Sequence, residues 1–161
     1  MIVLPYTFEP EEGPSGVFTL TFDGDRIVQQ VRVEQEGRMA ESRFELRAPG
    51  QHLTHFRVGD EPWTSMEGFP DDAYPGSAFV LLLSEAKERP FVFQRIRESS
   101  GTVEGWTTLE RRGNMITERD HERITRRFWV DDNDRLVRVD WGLAESRLCA
   151  TLEQAWAGDP L

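Results

Sequence analysis

Cysteine is almost missing from this chain. Cys149 stands alone among 161 residues, so no internal disulfide can form and stability must come from a core. A chain of this length buries about 70% of the surface its unfolded form exposes, enough for one domain over 1–161 without a covalent or metal staple. Lysine is as scarce: Lys87 is the only one among 19 basic residues, and the rest are arginine. A GC-rich genome accounts for that bias without invoking guanidinium chemistry. Long apolar runs are absent too. The longest, Ala78 to Leu83, falls far short of the roughly 20 residues that cross a bilayer. The opening MIVLPYTFEPEEG has neither the basic region nor the apolar run of a secretory signal, so a cytoplasmic location is expected, with no membrane span. Positive charge is outnumbered, and the net charge of −10 repels nucleic acid and anionic membranes.

Catalytic signatures are equally lacking. There is no Gly-x-Ser-x-Gly elbow, no Walker loop and no Rossmann glycine fingerprint. Asp131-Asp132-Asn133-Asp134 matches a calcium loop in composition only, without the order of ligands or the closing glutamate. His52 and His55 fall on opposite faces if they share a strand, a poor start for a metal site. Asp120-His121-Glu122 reads as a polar hairpin turn, because neighbours there do not converge on one point. Cys149, beside Leu148, reads as a small core hydrophobe. No enzyme activity, metal or cofactor is expected. A hydrolase using His121 and Asp120 would require these groups to meet the arginines in a pocket.

What the chain has is repetition. Residues 23–28 read DGDRIV and 132–137 read DNDRLV; AESRF follows at 40–44 and AESRL at 144–148. Each block has the form of strand, tight turn, strand, turn, strand. Phe18, Leu20 and Phe22 alternate with Thr19 and Thr21, the period of a half-buried strand. Asp23-Gly24-Asp25 supplies residues that tolerate positive φ in a hairpin. Strands follow at Ile27–Glu34, at Ala40–Ala48 with Phe44 and Leu46 inward and Glu45 outward, and at His52–Val58. Residues 59–90 interrupt the rhythm with Pro, Gly and Asp. Within them FVLLL suits a helix capped by Ser77, or a buried strand, and the helix is favoured. Alternation resumes over 91–97, 102–111, 115–119, 123–130, 136–141 and 145–152, and the tail from Glu153 is a turn of helix or a loose end. Roughly nine strands with local connections predict a mainly β fold. It is an internally duplicated antiparallel meander, with pseudo-repeats near 17–58 and 123–152, curled into a half-barrel or spiral β-roll with one or two short helices.

Two side-chain sets rise above this frame. Eight arginines lie between Arg95 and Arg127, suited to an anion or to cross-strand pairs with Glu98, Glu104, Glu110, Glu118 and Glu122; pairing is the simpler account. Trp106 and Trp129 sit on mixed strand faces, Trp129 with Arg127 and Thr125, opposite Phe128 and Val130. A Trp-lined concave sheet suits an amphipathic ligand. An equal alternative is that the indoles cover the hydrophobic side of the middle segment.

The phrase FWVDDNDRLVRVDW, with Trp129, Val130, Asp131, Arg135, Leu136, Val137 and Arg138, resembles the bacterial glycolipid-binding family built as a spiral β-roll. It also resembles the lipoprotein-carrier-like half-barrels. The resemblance implies a concave sheet able to hold an acyl chain or glycolipid, and no catalytic residues. The expected function is therefore a non-enzymatic binding module. Trp106, Trp129 and Trp141 would contact the apolar part of an amphipathic small molecule, and Arg127 and Arg138 its anionic or hydroxylated head. The alternative is a protein-interaction domain or homodimer with no ligand.

Overall fold

The period-two patterning extends through most of the chain, and the strands it specifies join edge to edge. A computed structural model describes residues 1–161. One flank of the sheet holds β1 (Ile2–Pro10), β2 (Gly16–Asp23), β3 (Arg26–Gln35), β4 (Arg38–Arg47), β5 (His55–Val58) and β6 (Thr64–Ser65). The other holds β7 (Ala73–Pro75), β8 (Phe91–Arg97), β9 (Thr102–Arg112), β10 (Met115–Asp120), β11 (Arg123–Val130), β12 (Leu136–Asp140) and β13 (Ala144–Arg147). The 13 strands form a single open sheet, ordered β6-β5-β4-β3-β2-β1-β13-β12-β11-β10-β9-β8-β7. Every pairing is antiparallel except the short parallel one between β7 and β8. All pairings but one link strands consecutive in sequence. The exception is the central seam, where β1 meets β13 through Glu9↔Glu145 and Pro10↔Ala144, with an isolated bridge at Tyr6↔Leu148.

The sheet curls because both flanks bury their inner faces against one object. That object is a helical segment made of a 3₁₀ turn (Gly76–Ala78), α1 (Phe79–Leu82) and a second 3₁₀ turn (Leu83–Ala86). A single apolar cluster of 23 buried residues includes Phe18, Leu46 and Phe56 from the first flank and Phe93, Ile116 and Phe128 from the second. Phe79 lies at its centre, stacked on Phe128 at 4.9 Å between centroids and edge-on to Trp141 at 5.7 Å. The half-barrel expected from the sequence is this open, curled sheet.

The sheet has 13 strands where the sequence predicts about nine, with the short β6 and β7 lying inside the segment 59–90 expected to be irregular, and four further details differ. Ser77 caps nothing: the segment starts without a side-chain cap, and the Ser77 hydroxyl is buried with no hydrogen-bond partner. β1 was not anticipated, because its two prolines mask a strand; Pro5 and Pro10 are tolerated beside a seam that is barely laddered. β13 stops at Arg147, since Thr151 caps α2 (Leu152–Trp156) by accepting from the Gln154 N–H at 3.1 Å. The twin turns also diverge. In DGDR the left-handed residue is Gly24 (φ 59°), closing a two-residue hairpin. In DNDR it is Asp134 (φ 60°), with the Asp131 carboxylate accepting from the Asn133 and Arg135 N–H groups at 2.9 Å each. No helix is long and apolar enough to cross a membrane.

Candidate functional site

Strand parity decides which side chains can meet. On β11, Phe128 and Val130 are buried inward, so Trp129 and Arg127 point to the outer, convex face. There Trp129 lies opposite Arg138, whose guanidinium sits 4.3 Å from the indole centroid. Arg127 reaches Asp140 at 3.7 Å, and Arg138 reaches Glu145 at 2.6 Å. On β9, Thr107 and Leu109 are buried, which turns Trp106 outward, 49% exposed. Through β10, Trp129 is in register with Arg112, and at about 3.3 Å per residue that leaves Trp106 roughly 20 Å away along β9. Of the five residues expected at a site, only Trp141 opens on the inner side. The concave surface runs along the opposite parity from the one the indoles on β9 and β11 follow.

The inner side holds a cleft of about 390 Å³ between the two flanks and the start of the helical segment. Phe8, Phe18, Val31, Phe44, Trp141 and Leu143 form its apolar wall. Trp141 stands edge-on to Phe18 at 5.1 Å, and its indole N–H donates to Ser146 Oγ at 2.9 Å, so the ring is fixed on two sides. The polar end is built by Gly76, Ser77, Arg95, Glu98 and Arg126.

That end is an ordered charge network. Glu118, fully buried, accepts from Arg126 Nε at 2.8 Å and from Arg126 Nη2 at 2.7 Å, the bidentate fork of an arginine–carboxylate pair. The Thr125 hydroxyl donates to the same carboxylate at 2.8 Å, and Arg95 stands 3.6 Å from it. Burial pushes the Glu118 pKa up, but Arg126, then Arg95 and the Thr125 hydrogen bond outweigh it and hold it below the ordinary glutamate value. Arg126 also donates to the Gly76 carbonyl at 2.9 Å and lies 5.0 Å from the Phe79 ring. Glu98 accepts from the Ser77 N–H at 2.8 Å, and Gln29 donates to the Ser77 carbonyl. Gly76 packs directly on this network: a Cβ there would sit 2.7 Å from the Arg95 guanidinium, which would have to shift to make room. The Ser77 hydroxyl has no protein partner, a buried polar group left open at the cleft wall.

No protein-family model and no curated protein matches this chain. The geometry alone carries the reading of the site.

In the sequence, Arg95, Arg126 and Glu118 stand only as members of a basic run or its pairing acids, and Ser77 only as a helix cap, not as parts of one site. A signal for two of them was present: Arg126 and Glu118 share strand parity with the buried Phe128 and Ile116, charged residues on an apolar stripe. Elsewhere the arginine-rich strands pair with glutamates, Arg97 with Glu104 at 2.5 Å and Arg112 with Glu110 at 3.5 Å. His121 lies on an exposed turn with φ 56°, 3.7 Å from Asp120, away from the clefts.

Proposed function

We propose that this chain is a non-enzymatic binding module that holds an amphipathic small molecule in the inner cleft. The observation that carries this reading is the two-part wall. Five aromatic or aliphatic side chains around Trp141 face a polar end with a buried, unpartnered hydroxyl on Ser77. Such a cleft falls within the usual size of a small-ligand site. The polar end supports an uncharged, hydroxyl-bearing head over an anionic one. Arg95 and Arg126 are balanced there by Glu98 and Glu118, whereas Arg95 keeps free N–H donors and Glu98 a free acceptor oxygen. The likeness of the FWVDDNDRLVRVDW phrase to glycolipid-binding β-rolls agrees with this, and the twin phrases support an origin of the two flanks by duplication.

Native mass spectrometry of freshly purified protein tests the proposal, with tryptophan fluorescence during titration of an alkyl glucoside and of a fatty acid of equal chain length. The expected result is a bound mass, or a Trp141 response to the glucoside that Arg95→Ala weakens about tenfold, as losing hydrogen bonds from a charged donor implies. A bare polypeptide mass, together with fluorescence that neither amphiphile changes, rejects it. A second reading rests on Val92 and Trp106, 48% and 49% exposed on the outer face, as a contact surface between copies. Light scattering at rising concentration decides that one: a monomer throughout removes it.

A further inference from the structure

The helical segment has a second cleft beside it, chemically unlike the first. It has a volume of about 640 Å³ and lies between β5, the β6–β7 loop, the far side of the helical segment and the start of β8. Three half-buried rings line it: Phe69, Tyr74 and Phe91. They are braced from behind. Phe69 leans on the buried Phe56 at 6.2 Å, while Tyr74 lies 6.2 Å from Phe91 and edge-on to the buried Phe93 at 6.1 Å.

The permanent charges around these rings are of one sign. Glu67, Asp71 and Glu85 line the cleft together with His52 and His55, and no lysine or arginine does. This differs from the first cleft, where Arg95 and Arg126 are offset by Glu98 in the wall and by the buried Glu118 behind it. The three carboxylates come from two elements, Glu67 and Asp71 from the β6–β7 loop and Glu85 from the second 3₁₀ turn, so their charges do not lie on one surface strip. Tyr74 senses them: burial raises its phenol pKa, and the charges of Glu85, Asp71 and Asp72 raise it further.

We infer that this second cleft binds an organic cation, a quaternary ammonium or protonated amine carried on an apolar body. Aromatic faces attract such a cation through their quadrupoles, while a cleft of one sign raises its local concentration. An apolar anion is repelled by the same carboxylates. A bare metal ion is a poor occupant, because no group of three His, Cys, Asp or Glu stands close enough to ligate one. The inference is independent of the first cleft and its ligand.

The test compares choline with 3,3-dimethylbutan-1-ol, its uncharged isostere, by amide NMR titration of the intact chain. Shifts are expected at 66–74 and Phe91, not at Ser42, Phe44 or Ser77 in the other cleft. Choline should bind at least about tenfold more tightly than the alcohol at low salt, the difference set by cation–π attraction and charge. Raising the salt from about 20 to about 500 mM should weaken choline severalfold and leave the alcohol unchanged. Glu85→Gln with Asp71→Asn, both at exposed positions, should weaken choline about tenfold. Tyr74→Phe, which keeps the ring, should retain binding, while Tyr74→Ala should lose it. Equal affinity for choline and the alcohol, insensitivity to the two neutralising substitutions, or no shifts at 66–74 would each overturn the inference.

Discussion

Glu118 concentrates the residue-scale argument. A carboxylate with no solvent exposure survives only because Arg126 grips it with two hydrogen bonds while Arg95 and Thr125 complete its surroundings. Its pKa in the fold lies below the ordinary value of 4.5. The pair therefore contributes fully above that value, and its contribution is lost as the pH falls through the lower folded value. Glu118→Gln leaves the Arg126 charge buried and unpaired, and should cost about 3–5 kcal/mol at pH 7. Urea unfolding from pH 7 down to about pH 3 checks both parts: the variant should be less stable at neutral pH and fall less steeply in acid. Parallel acid limbs would contradict the assignment. Glu45 shows the same device on the outer face, buried beneath Arg26, Arg43 and Arg57, with Arg47 and Arg57 each 4.5 Å from the Trp63 ring. Alternation assigned Glu45 correctly to the outward side. Its burial was hidden, because the covering guanidiniums come from β3 and β5 as well as from its own strand.

At the scale of elements, the helical segment separates the two clefts and plugs the curl. From Phe79 onward its buried residues are Phe79, Leu82, Leu83 and Ala86, at the spacing i, i+3, i+4, i+7. A broad apolar face was legible in the chain and favoured a helix, but a buried strand stayed open, and this spacing in the fold is what decides it. What the pattern lacked was the partner: Phe79 meets Phe128 from β11 and Trp141 from beyond β12. Phe79→Ala should cost about 3–5 kcal/mol, as large aromatic truncations in cores do. It should also raise exchange of the 76–86 amides above that of the β3–β4 hairpin, measured by hydrogen exchange. Uniform protection across both would show that the sheet holds its curl without the plug. The strand hairpins were readable for a related reason: a short turn and two alternating strands lie within about twenty residues of chain, so local pattern suffices.

For the whole molecule, the seam between β1 and β13 is the decisive contact, since it alone joins distant parts of the sequence within the sheet. Its ladder is short, and a side chain supplements it: the buried Tyr6 hydroxyl donates to the Leu136 carbonyl at 2.8 Å, across 130 residues. Tyr6→Phe removes that donor and strands a buried acceptor, at a cost of about 1–3 kcal/mol. Chemical denaturation should show a lower midpoint at an unchanged slope; an unaltered midpoint would mean that the seam is held by backbone pairing and packing alone. The sequence by itself determined most of the strands and turns, the two alternating faces of each and the tendency to curl, because these depend on residues close together along the chain. Tertiary structure alone decided which parity lines the cavity, where Arg95, Arg126, Ser77 and Trp141 converge, and which carboxylates go unanswered by a basic side chain. Those outcomes depend on how far the sheet bends and what the helical segment covers, a balance of packing between residues on different elements, as far apart as Tyr6 and Leu136, that no local pattern encodes.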